Sequence, residues 1–121
     1  MSNPSKQKGT SFETLVKDYL CAKGFPKAHR TALSGGHDTG DINGIVNLHT
    51  DAEVAVQCKN QKKFNLSGWL DATVEQAERL DNAVPLLVVK RPGKGAHSLD
   101  DTYAVMRLCD VVSLLKEANY T

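Results

Sequence analysis

The 121-residue sequence predicts one α/β domain built on a mixed central β-sheet flanked by helices, with elements in the order αβββαββα. Three observations carry this reading. The first patterned segment repeats apolar residues at helical spacing. Strand-like runs bounded by glycine, asparagine and aspartate follow it. A helix-length stretch then separates the third and fourth of these runs, and a connection of that length joins parallel neighbours, so hairpins and a parallel pair share one sheet. Residues 1–9 read as a flexible polar tail and 10–121 as the domain, a length that suits one core.

The elements follow in order. The first helix is "TSFETLVKDYLCAKG", in which Phe12, Leu15, Val16, Tyr19 and Leu20 form one stripe. Thr10 is placed to cap its start and Gly24 to end it. After Pro26, "AHRTAL" is the first strand and "SGGHDTG" a glycine-rich loop. "DINGIVNL" is the second strand, "HTDA" a turn and "EVAVQCKN" the third strand. "NLSGWLDATVEQAERLDNA" is the second helix, with Leu66, Trp69, Leu70, Thr73, Ala77 and Leu80 on one side and Trp69 in the core. "VPLLVVK" is a continuous apolar run and hence a central buried strand. "RPGKGAHSLDD" is a flexible loop, "TYAVMRL" the last strand and "DVVSLLKEANY" the closing helix.

Composition excludes several classes. Apolar residues make up 40% and charged residues 24%, as in ordinary globular chains, and the net charge of +1 says little about partners. Cys21, Cys58 and Cys109 stand far apart in apolar contexts with no CxxC, which points to buried thiols in a reducing, cytoplasmic compartment. No secretory leader pattern and no membrane-length apolar run is present. Basic residues fall in three clusters: six between Met1 and Arg30, then Lys59, Lys62 and Lys63, then Lys90, Arg91 and Lys94. Three such clusters can line one nucleic-acid surface, or they can be solvated faces.

The chemistry-bearing residues gather at strand ends. Asp41 opens the second strand, just after the glycine-rich loop, and Gln57 and Lys59 end the third on a shared face. Adjacent strands thus bring together a carboxylate, an amide oxygen and an ammonium. Hard oxygen ligands suit Mg²⁺. A lysine beside a hard cation suits phosphodiester hydrolysis, where negative charge develops on the phosphoryl oxygens.

"GDI" at 40–42, a hairpin, and "VQCK" at 56–59 resemble the PD-(D/E)xK nuclease superfamily. Glu13 in the first helix, Arg30, "LSGG" at 33–36 and "GDI" are similar to the stand-alone Holliday-junction resolvases of archaeal type, over about residues 10–115. The QxK form resembles Mrr-like restriction endonucleases, in which glutamine commonly replaces the acid. Two departures stand out: Thr39-Gly40 precedes Asp41 where the superfamily motif has proline, and Gln57 occupies the acid position. The resemblance implies a restriction-endonuclease-like fold and a Mg²⁺-dependent endonuclease, with Mn²⁺ as a substitute, acting on branched or duplex DNA as a homodimer. It implies Asp41, Gln57, Glu13 and the Cys58 carbonyl as metal ligands, Lys59 as the catalytic lysine, and Glu75 as the fallback acid.

Each residue also has a plainer reading. Thr10-Ser11-Phe12-Glu13 fits a capping box. Asp41 suits a turn, Gln57 can satisfy buried backbone, and Lys59 can extend to solvent from a strand end. Arg30 and Ser34 can hold phosphate oxygens or pair locally. His37 is a candidate DNA or metal contact in the same loop. Lys62, Lys63 and Lys94 are candidate backbone contacts, and Gln76 sits on the inward stripe of the second helix. "PGKG" at 92–95 lacks the P-loop spacing. The enzyme alternatives are Mrr-like or flap- and nick-directed nucleases; the non-enzyme alternative is a catalytically silent DNA-binding module.

Overall fold

The computed structural model describes residues 4–31 and 40–121. Helix α1 (Pro4–Ala22) leads into β1 (His29–Arg30), β2 (Ile42–Val46) and β3 (Glu53–Lys59). Helix α2 (Leu66–Glu78), β4 (Ala83–Val89), a 3-10 segment (Ala96–Asp101), β5 (Tyr103–Val105) and α3 (Leu108–Glu117) complete the described chain. The five strands lie in the order β1-β2-β3-β4-β5, antiparallel except for the β3–β4 pair, which the α2 crossover makes parallel. This mixed sheet flanked by helices is a restriction-endonuclease-like arrangement.

Helix α1 begins at Pro4, six residues before the expected start at Thr10. Proline suits the first helical position, where its missing N–H removes no intrahelical bond. Gly9, which costs a helix interior about 1 kcal/mol, is nonetheless carried within it. Residues 4–9 are therefore helix and not tail, whereas residues 1–3 lie outside the described residues. Thr10 falls inside the helix and not at its start, so the capping-box reading of Glu13, which needs Thr10 as the first cap, does not apply. The other end closes as expected. Gly24 has φ +113°, Phe25 N–H donates to Leu20 O at 3.1 Å, and Gly24 N–H donates to Cys21 O. This is the Schellman pattern, which satisfies the last carbonyls.

The core has one layer on each face of the sheet. Phe12 and Val16 of α1 pack with Ile42, Val56, Cys58 and Val88 on one face; Trp69 of α2 packs with Leu87 and Val89 on the other. Strand β4 supplies both layers by alternation, Leu86 and Val88 to one and Leu87 and Val89 to the other, and β3 alternates in the same way. The even-numbered residues of β3 meet α1, while Gln57 and Lys59 project to the α2 side. Pro85 sits inside β4, a position that central strands usually refuse. It is tolerated because β5 pairs only as far as Leu87, so beyond that residue this edge of β4 faces no strand among the described residues.

Other boundaries differ from expectation for local reasons. The expected first strand over 28–33 is paired only at His29–Arg30, and residues 32 and 33 lie outside the described residues. Helix α2 ends at Glu78, and Asn82, with φ +55°, turns the chain into β4. Half of the loop expected at 91–101 is the 3-10 segment, which breaks at Ser98. Cys109 is exposed on α3, not buried, while Cys58 is buried and Cys21 half-buried. Among the described residues no helix is long and apolar enough to cross a membrane.

Candidate active site

The site forms where β2 begins and β3 ends. Gly40 has φ +107°, and a Cβ there would stand 3.1 Å from Val56 O. That backbone explains the first departure from the superfamily motif: proline, fixed near φ −65°, cannot adopt it, and glycine can. The turn delivers Asp41 against β3. Asp41 N–H donates to Val56 O at 2.7 Å, and Asp41 Oδ2 accepts from Cys58 N–H at 2.8 Å. In an extended strand the N–H and C=O of one residue leave by the same edge, so the Cys58 carbonyl faces the Asp41 side as well. On the opposite edge Lys59 O accepts from Lys90 N–H at 2.9 Å, which ties the end of β3 to β4.

An open cavity of about 580 Å³ is lined by Lys8, Gly9, Glu13, Asp41 and the run from Gln57 to Lys62. Gln57 is only 9% exposed, and its Oε1 is buried with no hydrogen bond among the described residues. Lys59 Nζ lies 6.0 Å from the centre of the Trp69 ring, a cation–π distance that holds the ammonium at the cavity's α2 side. Glu13 reaches the cavity from α1 and pairs with Arg30, Oε2 to Nη2 at 3.0 Å. Burial pushes the Cys58 thiol well above its usual range; the charges of Asp41 and Glu13 add to the effect and Arg30 opposes it. Two carboxylates therefore act on one buried sulfur, which stays protonated at neutral pH and faces the α1 core.

The donors fit a hard divalent cation. A buried amide oxygen without a donor among the described residues, a carboxylate steered by a backbone N–H and an adjacent peptide carbonyl are oxygen ligands of the kind Mg²⁺ takes. The set is poor in acids. No group of three or more His, Cys, Asp or Glu side chains among the described residues is arranged to hold a metal. A cation held there would draw on the amide and the carbonyl as well as on the acids.

The remaining expectations divide. Lys62 lines the cavity, and Lys63 is exposed beside it. Arg30 is engaged with Glu13 and Thr14. Lys94 pairs with Asp101 at 3.7 Å, and neither lines the cavity. Gln76 is buried at 8% exposure and does not line the cavity, so it offers no surface to DNA. Glu75 is exposed on α2 and does not line the cavity either. Ser34 and His37 lie outside the described residues. Sequence reasoning missed Lys8 and Asn60, which meet where Asn60 Nδ2 donates to Lys8 O at 3.5 Å. The basic character of the first residues is the available signal, but their polarity with Gly9 among them reads as tail.

A family model described as "Phage putative PDDEXK endonuclease" matches residues 4–120. The chain belongs to this family. Neither the search of curated proteins nor the search of solved structures found a significant match. The match begins at Pro4, where α1 also begins, and so takes in the cavity-lining Lys8 and Gly9. It places the chain within the PD-(D/E)xK nucleases.

Proposed function

We propose that the chain is a Mg²⁺-dependent endonuclease that hydrolyses phosphodiester bonds in branched DNA, with the four-way junction as the substrate to which the sequence resemblance points. The observation that carries this reading is Gln57, which lines the cavity with Asp41 and Lys59 and whose buried Oε1 has no hydrogen-bond partner among the described residues. A buried oxygen left bare costs about 1–3 kcal/mol, and a cation ligated there removes that cost.

Asp41, the Gln57 oxygen and the Cys58 carbonyl would hold the cation, with Glu13 contributing once its pairing with Arg30 is shared or released. Bound Mg²⁺ supplies Lewis-acid polarisation of the phosphate and a lowered pKa for water. The chain's own groups do the rest. Cys58 N–H fixes the orientation of the Asp41 carboxylate. The Lys59 ammonium offsets negative charge developing on the phosphoryl oxygens. Lys8 and Lys62 hold flanking phosphates without reading bases. Water oxygen bonds to phosphorus, the bond to the 3′ oxygen breaks, and the products are a 5′-phosphate and a 3′-hydroxyl.

A homodimer belongs to the same proposal, because a twofold axis would present two sites to opposed strands of a junction. Helix α3 supports it: none of its residues is buried, and Leu108, Val112 and Leu115 are exposed along one stripe. Sedimentation as a monomer both free and on DNA would remove that part.

Two observations favour a second reading. The acid-poor donor set and the Glu13–Arg30 pair also suit a silent DNA-binding module. Purified protein with Mg²⁺ or Mn²⁺, offered four-way junction, flapped and linear duplex DNA, separates the two. Cleavage of branched DNA that disappears in Asp41→Ala and Lys59→Ala supports the enzyme. Binding without cleavage in either metal overturns it.

A further inference from the structure

Beside the candidate site runs a strip of aromatic rings to which the hydrolytic reading gives no task. The strand register sets Lys59 opposite Val89 and Val89 opposite Tyr103, so Lys59 and Tyr103 lie in one row across three strands. Directly opposed residues share a face of the sheet, here the α2 face. Phe64, in the link between β3 and α2, bridges the row. Its ring centre is 5.8 Å from that of Trp69 and 6.2 Å from that of Tyr103, the latter edge-on at 88°. Lys59 Nζ stands over Trp69 at one end, and the Arg91 guanidinium stands 5.5 Å over Tyr103 at the other.

Trp69 is buried, as a core residue should be. Phe64 and Tyr103 are not: they are 37% and 40% exposed. Fully burying a ring of this size contributes about 1.5–3 kcal/mol, so two adjacent rings left open to water call for an occupant. The neighbouring segments carry Lys62 and Lys63 just before Phe64, and Lys90 and Arg91 just after β4. An apolar π surface framed by cations matches a nucleic-acid strand, whose bases offer flat faces and whose backbone is anionic. Paired bases inside a duplex already stack on their neighbours and gain nothing from such rings. A base displaced at a branch point does.

We propose that Phe64 and Tyr103 form a platform that takes an unpaired base next to the scissile phosphate face-on at one ring and edge-on at the other, and that it confers preference for branched or frayed DNA over continuous duplex. The proposal deepens the nuclease reading and rests on it, because Lys59 marks where the phosphate lies. Phe64 and Tyr103 are specificity-determining residues here and take no part in the bond change. Arg91 keeps the Tyr103 ring oriented and meets the phosphate on its far side.

The test uses the full chain in EDTA, where binding is measured without cleavage. Fluorescence anisotropy compares a blunt duplex with the same duplex bearing a short single-stranded extension that contains a fluorescent adenine analogue. The expected result is tighter binding of the extended DNA, with quenching of the analogue on binding. Phe64→Leu and Tyr103→Leu, which keep apolar bulk but remove the ring, should lower the extended-to-blunt affinity ratio roughly five- to hundredfold. Phe64→Trp and Tyr103→Phe should retain it.

A ratio that does not change in leucine variants with wild-type circular dichroism overturns the proposal. So does failure to bind any DNA. If either leucine variant does not fold, the ratio and quenching in Phe64→Trp and Tyr103→Phe still decide, because a platform must tolerate another ring. A chain that prefers the extension but cleaves no DNA in Mg²⁺ or Mn²⁺ keeps the platform and loses the nuclease reading. Cleavage of branched DNA with a ring-independent ratio does the reverse.

Discussion

Two amides flank the same pair of strands and behave in opposite ways. Asn47, at the hairpin end, has its Oδ1 accepting from the N–H groups of His49 at 2.8 Å and Thr50 at 3.2 Å. Around it Asp51 N–H donates to Asn47 O and Ala52 N–H to Thr50 Oγ1, so the turn closes on its own groups. Gln57, toward the other end of β3, is more deeply buried, yet its Oε1 accepts from nothing among the described residues. An exposed turn needs its polar atoms to replace water and finds partners two and three residues away. A buried oxygen left bare carries a cost with no local return. On the proposed reading the hairpin end is organised for folding and the far end for a ligand, so each can be broken separately.

The largest effect should come from Asp41. Asp41→Ala removes the carboxylate that Cys58 N–H holds at 2.8 Å. Cleavage of branched DNA should fall by roughly 10²–10³ or more, the scale of losing one group that stabilises transition-state charge. Initial-rate measurements with Mg²⁺ check this, and a variant within tenfold of wild type would move the site elsewhere. Gly40→Ala attacks the same end through the backbone. A side chain at φ +107°, with Cβ 3.1 Å from Val56 O, should cost about 2 kcal/mol of stability, read as a lower urea midpoint with unchanged slope.

The contrast between the two ends also decides what the sequence made legible. "GDI" and "QCK" were readable because β2 and β3 are neighbours in both chain and sheet, and alternation alone puts Gln57 and Lys59 on one face. The turn at 49–52 was readable for the same local reason, although Asn47 reads as the second strand and instead closes the turn. Lys8 was not, because Gly9 and the polar residues around it conceal a helix start that Pro4 sets and packing maintains. The Glu13–Arg30 pair was not, because sequence supplies two charges but not the approach of α1 to β1. The aromatic strip was hidden most deeply: Phe64 and Tyr103 meet only through the parallel β3–β4 crossover and the β4–β5 pairing. Gln76 misled because an inward stripe on α2 leads to the core and not to the cavity.

Gln57→Met sharpens the comparison directly. If the bare oxygen is held for a cation, replacing the amide with an apolar chain of similar length should stabilise the metal-free protein by about 1–2 kcal/mol and remove the rise in urea midpoint that Mg²⁺ gives the wild type. A destabilised variant that still responds to Mg²⁺ would make Gln57 an ordinary core residue. Cys58 offers a pH test at the same end. Its buried thiol is raised above the ordinary 9.0, so above about pH 9 the unfolded chain releases a proton that the folded chain keeps. Stability is therefore present below that pH and lost as pH rises, by at most about 1.4 kcal/mol per unit. Urea titrations of wild type against Cys58→Val should diverge only in that alkaline window; parallel curves would mean the thiol is solvated.

The smallest effect should be at the hairpin. Asn47→Ala removes one side-chain acceptor that serves two backbone N–H groups, while the backbone bond from Asn47 N–H to Ala52 O at 2.8 Å remains. The freed N–H groups are exposed and can turn to water, so the loss should be about 1 kcal/mol in urea unfolding. Cleavage should be unchanged, because the turn lies at the opposite end of β3 from Asp41 and Lys59. A variant that loses activity in proportion to Asp41→Ala would show that the hairpin end transmits strain along β2 and β3 into the site. The division between a folding end and a ligand end would then give way to one coupled element.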